Sequence, residues 1–535
     1  MDNKDTPDLD HVEGLKPASV PAQNHGDVLL VTSQDVRRIP VPTDNPNDLL
    51  NSKLFKKFMI VANCCWFAVF SLLSLSGTGT FMNTLFELYA PEGKSAEQVV
   101  GLSTYPTMVM ALGSFGLLPL ALVLGRRPVF LFSIALALVM VIVAGASKDF
   151  NTHFTARLVL GLATGATESL LPLILSDLTF LDERSFYFGL YWSSQNAINA
   201  GLQVALSYMI TASSWRWYYW LFAITLGFGA FSAFFFLPET RFQRPLALVN
   251  GYVVYTDDFG HTQFLTDEEA RERLGERIDN ETGGKPVEKM KFAEELKPWS
   301  SVPPDAFKTW LSAYAAIAKS LTSPAVWFAL LASSITLGIG VAITLVYSTV
   351  LEESFHWGPE SVGLFNVGII PAAVLAMVHS GWFADRVNVW LAARNGGVHK
   401  PEHHLVHLVI PCLAGAVGIV VFGVVANEPE RYSAWGLVLA WSIFEFAFTA
   451  VLITTTTFAA EVIPENPGAA MVPVVGGKNI ISFGASYGLI PMLNMWSYLK
   501  SFLVLFGIFV GIFGLGIPIY FLNPKWRASA LKKTS

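Results

Sequence analysis

Five ionisable side chains lie inside long apolar runs of this sequence: Arg157, Glu168, His379, Glu445 and Lys478. A charge held within lipid is costly and faces a partner or a water-filled cavity. Glu168 and Glu445 form the informative pair. They fall in the fourth and tenth apolar runs, equivalent places if the chain is two similar halves, and could converge from opposite sides of one cavity. A carboxyl group withdrawn from water can exchange a proton near neutral pH, and it can hold a cationic substrate. Each could equally be a buried carboxyl hydrogen-bonded within its own bundle. Lys478 either pairs with Glu445 as a structural ion pair or binds an anionic group, and a free anion-binding lysine would argue against a cationic substrate. Arg157 opens an Arg157-x-x-x-Gly161-x-x-x-Gly165 pattern. Its glycines allow another helix to approach closely, while the arginine could snorkel outward or tune a nearby carboxylate. Asn63, Gln195, Asn196, Asn199, Gln203 and Asn479 are further cavity candidates, or interhelical hydrogen bonds.

The elements that must position these groups follow from composition. Of 535 residues, 53% are hydrophobic and only 14% charged, against about 25% charged in soluble domains. Runs long enough to span a bilayer occur near 58–80, 104–124, 128–147, 151–175, 188–211, 215–237, 325–349, 361–383, 405–426, 433–459, 471–493 and 501–522. The fifth is weakened by Ser193, Ser194, Gln195 and Asn196, and the eleventh by Lys478. The expected fold is therefore an all-α integral membrane protein with 12 transmembrane helices. It divides into a tail 1–57, a six-helix bundle 58–237, a polar central loop 238–324, a second six-helix bundle 325–522 and a tail 523–535.

Lys and Arg in the short flanks favour one side by roughly three to one, which by the positive-inside rule puts both termini and the central loop in the cytoplasm. The sequon Asn280-Glu281-Thr282 would then escape glycosylation, and Asp267–Leu274 reads as a short amphipathic stretch of that loop. The polar N-terminus lacks a cleavable-signal pattern, so the first helix acts as the insertion signal. A net charge of −6 without a basic stripe speaks against nucleic acid, and three cysteines inside apolar runs speak against a disulfide framework. With no metal-spaced His/Glu cluster, no Ser/His/Asp arrangement and no phosphate-binding glycine loop, neither an enzyme nor a metal or cofactor is expected; the proton gradient is the expected energy source.

A feature recurs in both halves. Gly125-Arg126-Arg127-Pro128 follows the second run, and Gly381-Trp382-Phe383-Ala384-Asp385-Arg386 follows the eighth. Arg126, Arg127, Gly381, Asp385 and Arg386 are either positive-inside anchors or a charged latch that opens and closes with a transport cycle. A six-plus-six repeat with a midplane site at its interface is a known transporter plan.

These residues resemble the fungal major facilitator superfamily, its twelve-span drug:proton antiporter group, and within it the branch of yeast Hol1-type polyamine and organic-cation transporters. The resemblance covers about 38–525. It rests on the Ile39–Asp48 segment, Gly125–Pro128, Arg157 with Gly161 and Gly165, Asp182-Glu183-Arg184 with Gly189 and Tyr191, Trp215-Arg216-Trp217, Pro238–Arg241, Gly381 with Asp385 and Arg386, and Pro401-Glu402-His403-His404-Leu405. It departs at Leu122 and Val123, where the family carries Asp-Arg, and at Gly201–Leu206, which keeps only the first glycine of the antiporter motif. That second departure makes proton symport or facilitated uptake as good a reading as antiport. The resemblance implies the major facilitator fold and alternating-access, proton-coupled transport of a small organic solute, with a cation such as a polyamine favoured. Glu168, Glu445, Arg157, Lys478, Asn63 and Asn199 are the candidate substrate or proton-coupling residues. The alternatives are efflux of drugs or secondary metabolites and a transport-dead nutrient sensor. A monomer in the lipid bilayer of the plasma membrane, or of the vacuole, is expected.

Overall fold

In the computed structural model the described residues are 28–31, 36, 38–40, 45–242, 247–249, 252–256, 262–265, 290–300, 302, 304–463 and 467–534. The sequon at 280–282, the stretch 267–274 and part of the segment ahead of the first helix, 41–44, lie outside them.

The principal helices are α1 Leu54–Ser76, α2 Ala96–Leu124, α3 Arg126–Ala146, α4 Phe150–Leu178, α5 Arg184–Ala212 and α6 Trp215–Phe236. The second set is α7 Pro324–Thr349, α8 Gly363–Arg394, α9 Pro401–Asn427, α10 Trp435–Val462, α11 in the consecutive pieces Pro467–Met471, Val472–Gly476 and Lys478–Met495, and α12 Tyr498–Arg527. Ten of the described helices are long and apolar enough to cross a membrane. The two that fall short are α5 and α11, whose polar residues lower the hydropathy of helices that the interior nevertheless needs.

Local signals place the ends. Ser95 and Gln98 form a capping box at α2, and the Asp149, Ser214 and Ser497 side chains cap α4, α6 and α12, each satisfying amides that have no helical partner. Gly125, at φ 100°, makes the sharp reversal from α2 to α3, a conformation that side-chain-bearing residues avoid.

Burial sorts the helices. Every residue of Ala166–Leu178 is buried, as is every residue of α10 from Thr449 to Val462. By contrast α6 exposes Ile224, Phe228 and Phe231, and α12 exposes Ile517 and Phe521, as lipid-facing surfaces do. The glycine spacing of α4 serves close packing. A Cβ on Gly161 or Gly165 would collide with the α2 backbone at Pro106 or Met110, and one on Gly113 with the α4 backbone at Leu162.

The described part of the N-terminal tail, the central segment, the α8–α9 connection and the end of α12 meet on one face. Val28–Leu29 pairs antiparallel with Val398–His399 in the α8–α9 connection. Lys56 pairs with Glu295, and Arg527 of α12 with Glu402 at 2.7 Å. This side is the termini face. An amphipathic helix, Ala306–Ser320, also packs here, its Ser320 Oγ donating to Ala469 O of α11 at 3.1 Å.

Candidate functional site

A deeply buried ion pair joins the halves. Lys478 Nζ of α11 donates to Glu168 Oε2 of α4 and, at 2.8 Å, to Val475 O, and it stands 5.1 Å from the Trp192 ring of α5. The two side chains are 3% and 4% exposed. The backbone explains the approach. A π-helical turn at Val472–Gly476 interrupts α11, and a Cβ on Gly476 would collide with Ser114 Oγ of α2. That missing side chain brings the start of Lys478–Met495 against α2 and α4. Beside it, Tyr191 donates to Thr167 O at 2.8 Å.

This pairing corrects one expectation. Lys478 does not pair with Glu445 and is not free to hold an anion. Among the described residues the Glu445 carboxylate, buried within α10, has no ionic or hydrogen-bond partner. One turn further on, Thr449 Oγ1 accepts from Asn196 Nδ2 at 2.8 Å, and Thr456 Oγ1 from Trp192 Nε1 at 3.2 Å, so α5 and α10 are tied across the halves by neutral bonds. Ser193 Oγ, Gln195 Nε2 and Asn199 Oδ1 are buried atoms without partners. Orphaned polar atoms of this kind cost free energy unless water or a ligand meets them. Asn63 donates to Met59 O within its own helix at 2.7 Å, which makes it a local bond rather than a free cavity donor.

Arg157 departs furthest from expectation. It neither snorkels nor meets a carboxylate. Fully buried, its guanidinium donates to Leu102 O at 2.6 Å, Leu75 O at 2.5 Å, Ser74 O at 3.3 Å, Thr78 Oγ1 at 3.1 Å and the Tyr219 hydroxyl at 3.0 Å. It clamps α1, α2, α4 and α6 together at the end away from the termini.

The expected latch is asymmetric. Asp385 crosses from α8 to the first turn of α5, accepting from Ser185 N at 3.1 Å and Phe186 N at 2.9 Å, where a helix N-terminus favours negative charge. Gly381, in the π-helical turn Met377–Phe383, faces Gly189 of α5, and a Cβ on Gly189 would lie 3.2 Å from Gly381 Cα. Arg126 and Arg127 instead bind inside the first half: Arg126 to Asp177 at 3.2 Å, and Arg127 to Leu237 O and Phe234 O, with Leu296 O of the central segment at 3.1 Å. Glu239 caps both of their amides. Arg386 stacks 3.4 Å above Trp382. The first-half turn holds Leu122 and Val123 where an acid comparable to Asp385 would sit, so it has no side chain with which to cross. In the α4–α5 turn, burial lifts the Asp182 carboxyl above the usual range, opposed by its own amide and Arg38.

Gly189→Leu should therefore force α5 from α8 and open the termini face. In an otherwise cysteine-free chain, Ser380→Cys, buried when the latch is closed, should become reactive to a soluble maleimide only in that background. Unchanged protection would sink the latch.

Sequence reasoning did not name His399 or Glu461, and took Arg184 and His404 only as parts of motifs, without a site role. Arg184 Nη1 of α5 approaches Glu461 Oε1 of α10 at 4.0 Å, while His399 and His404 both hold Glu461 Oε2. The signal available, histidines just before an apolar run and an acid at the end of another, does not name the partners.

A family model described as Major Facilitator Superfamily matches residues 64–472. An uncharacterised MFS-type transporter of Schizosaccharomyces pombe is 24% identical over 440 residues, covering 75% of this chain and 72% of that protein. Protein HOL1 of Saccharomyces cerevisiae is 20% identical over 548 residues, covering 93% and 91%. The solved structure of the proton:xylose symporter XylE bound to 6-bromo-6-deoxy-D-glucose superposes with a TM-score of 0.57 at 12% identity, over 86% of this chain and 95% of that one. That likeness is one of fold.

Proposed function

The chain belongs to the major facilitator superfamily, as a multi-pass membrane transporter of small solutes and not an enzyme; from that premise we propose that it moves a small organic cation such as a polyamine, coupled to the proton gradient, by alternating access. The observation that carries this reading is the buried Glu168–Lys478 pair between the halves. Three cations then compete for one carboxylate: the Lys478 ammonium, a proton and the ammonium of the substrate. Substrate or proton at Glu168 releases Lys478 and loosens α4 from α11. Reforming the pair closes the empty carrier, so the state change depends on what occupies Glu168. Glu445, buried without a counter-charge, is the second carboxylate of the same cycle, and a polyamine carries more than one ammonium group to meet it. Trp192 beside Lys478 supplies an aromatic face suited to cations. The termini face, closed by Asp385 and the Gly189–Gly381 contact, is the cytoplasmic gate of a monomeric carrier in the plasma membrane.

The test is labelled spermidine uptake by cells lacking their own carrier, with and without a protonophore, for wild type and Glu168→Gln, with surface protein quantified. Uptake should be sensitive to the protonophore and at least about tenfold lower in the variant, a loss of roughly 1.4 kcal/mol or more. Uptake indifferent to the protonophore would remove proton coupling. No uptake by wild type at the surface would reject polyamine import and favour efflux of drugs or secondary metabolites, which a resistance screen reads directly.

A further inference from the structure

At the termini face two histidines and an acid from distant stretches of chain meet. His399 ends the two-residue strand that pairs with Val28–Leu29 of the N-terminal tail, and His404 lies in the 3-10 turn Pro401–Leu408 that opens α9. His399 Nε2 and His404 Nε2 stand 2.8 and 2.9 Å from the same oxygen, Glu461 Oε2, at the end of α10. The ligating atoms of the three residues all lie within 4.8 Å of one another, and the residues are buried to 3%, 2% and 6% exposure. Asn388 of α8 fixes the His404 ring through Nδ1 at 3.1 Å. The remaining atoms are not fully used: His399 Nδ1 and Glu461 Oε1 are buried without a hydrogen bond, although Arg184 approaches the latter at 4.0 Å.

We infer that His399, His404 and Glu461 form a site for a divalent transition metal, with zinc as the best fit. Two imidazole nitrogens and one carboxylate are a zinc ligand set that leaves a fourth position open, and imidazole selects borderline metals over magnesium or calcium. Ligands about 2.0–2.2 Å from a tetrahedral ion stand roughly 3.3–3.6 Å apart, so the two contacts on Oε2 widen by about half an ångström while the two imidazole nitrogens, within 4.8 Å of each other, swing onto the same ion. Asn388 Nδ2 faces His404 Nδ1 and its Oδ1 faces His407 Nε2; turning that amide over presents its oxygen to a His404 Nδ1–H, the outer acceptor that a metal-bound histidine uses and the tautomer that frees Nε2 for the ion. An ion here neutralises a carboxylate that two histidines now share. It pins the α8–α9 connection, and with it the N-terminal tail strand, to α10.

The experiment is zinc titration of the purified full chain, read by calorimetry, by retained metal after desalting and by thermal unfolding. Wild type should retain one zinc per chain and unfold at a higher temperature with zinc. Cobalt in its place should give the intense visible bands of a tetrahedral site. His399→Ala and His404→Asn should each weaken binding by at least the roughly 10–100-fold that losing an outer-shell partner costs, and His379→Ala should leave it unchanged. Equal binding by wild type and both ligand variants, or retention of no zinc by folded wild type, would overturn the site. A cobalt spectrum without tetrahedral bands would reject the coordination.

Discussion

Lys478→Met should leave little folded protein, and Glu168→Gln/Lys478→Met should restore it without restoring transport. The single change strands the Glu168 carboxylate in a site where, among the described residues, its one ionic partner was the lysine. Breaking a buried pair by removing one partner costs about 3–5 kcal/mol, whereas replacing both partners with well-packed hydrophobic residues of similar volume is often neutral, so removing both charges together recovers much of that cost. That cost is a large fraction of the stability of most domains. The double variant removes the stranded charge and tolerates burial, yet it has no carboxylate for which lysine, proton and substrate can compete. Thermal unfolding in detergent, set beside uptake, separates the two roles. If the double variant transports like wild type, the pair is a structural element alone and the coupling scheme fails. If Lys478→Met is as stable as wild type, the ion pair is not what holds α4 against α11. The double variant also guards the Glu168→Gln uptake test, because loss of function through misfolding would then be visible as recovery of folded protein with transport still absent.

Arg157→Met is the second large effect, and Arg157→Lys should be nearly as damaging. The guanidinium meets three carbonyls and two hydroxyls on α1, the turn after it, α2 and α6. Its planar fork reaches acceptors in several directions, which the single ammonium of lysine cannot. Each buried acceptor left unpaired costs about 1–3 kcal/mol, so even with water recovering some of them the loss is about 3 kcal/mol or more. The expected result is a marked fall in the unfolding temperature of both variants, with transport lost in proportion to folded protein. A stable Arg157→Lys with normal unfolding and altered proton dependence would overturn the clamp and return Arg157 to a coupling role. The neighbourhood agrees with a clamp: His153 bridges Tyr89 and Tyr219 at 2.7 Å each, continuing the network that begins at Arg157.

How far the sequence reaches can be judged at these residues. Apolar run length identifies the spans because a bilayer sets the length of a helix that crosses it. The same scarcity of charge picks out Glu168, Glu445 and Lys478, since an ion is kept in lipid only for a reason. The glycine spacing of α4 announced close packing and did not name α2 as the neighbour. The recurrent turn motif located Gly381 and Asp385, but also promoted Arg126 and Arg127, because a motif shared by two halves does not reveal which copy crosses between them.

What the sequence by itself determined is the class of protein: the helices, their approximate ends, the charges they carry and the turns that reverse them, all local properties of chain in water and lipid. Tertiary structure alone decided the partners. Lys478 meets Glu168, 310 residues away, rather than Glu445, because Gly476 lets α11 lie on α2 at Ser114. Glu461 gathers His399 and His404 from 62 and 57 residues away, because the α8–α9 connection folds beneath the end of α10. Helix periodicity limits which face of a helix is buried. Which helix covers that face, and at what depth, is set by how small side chains and broken turns let backbones approach, and that is a property of the assembled bundle.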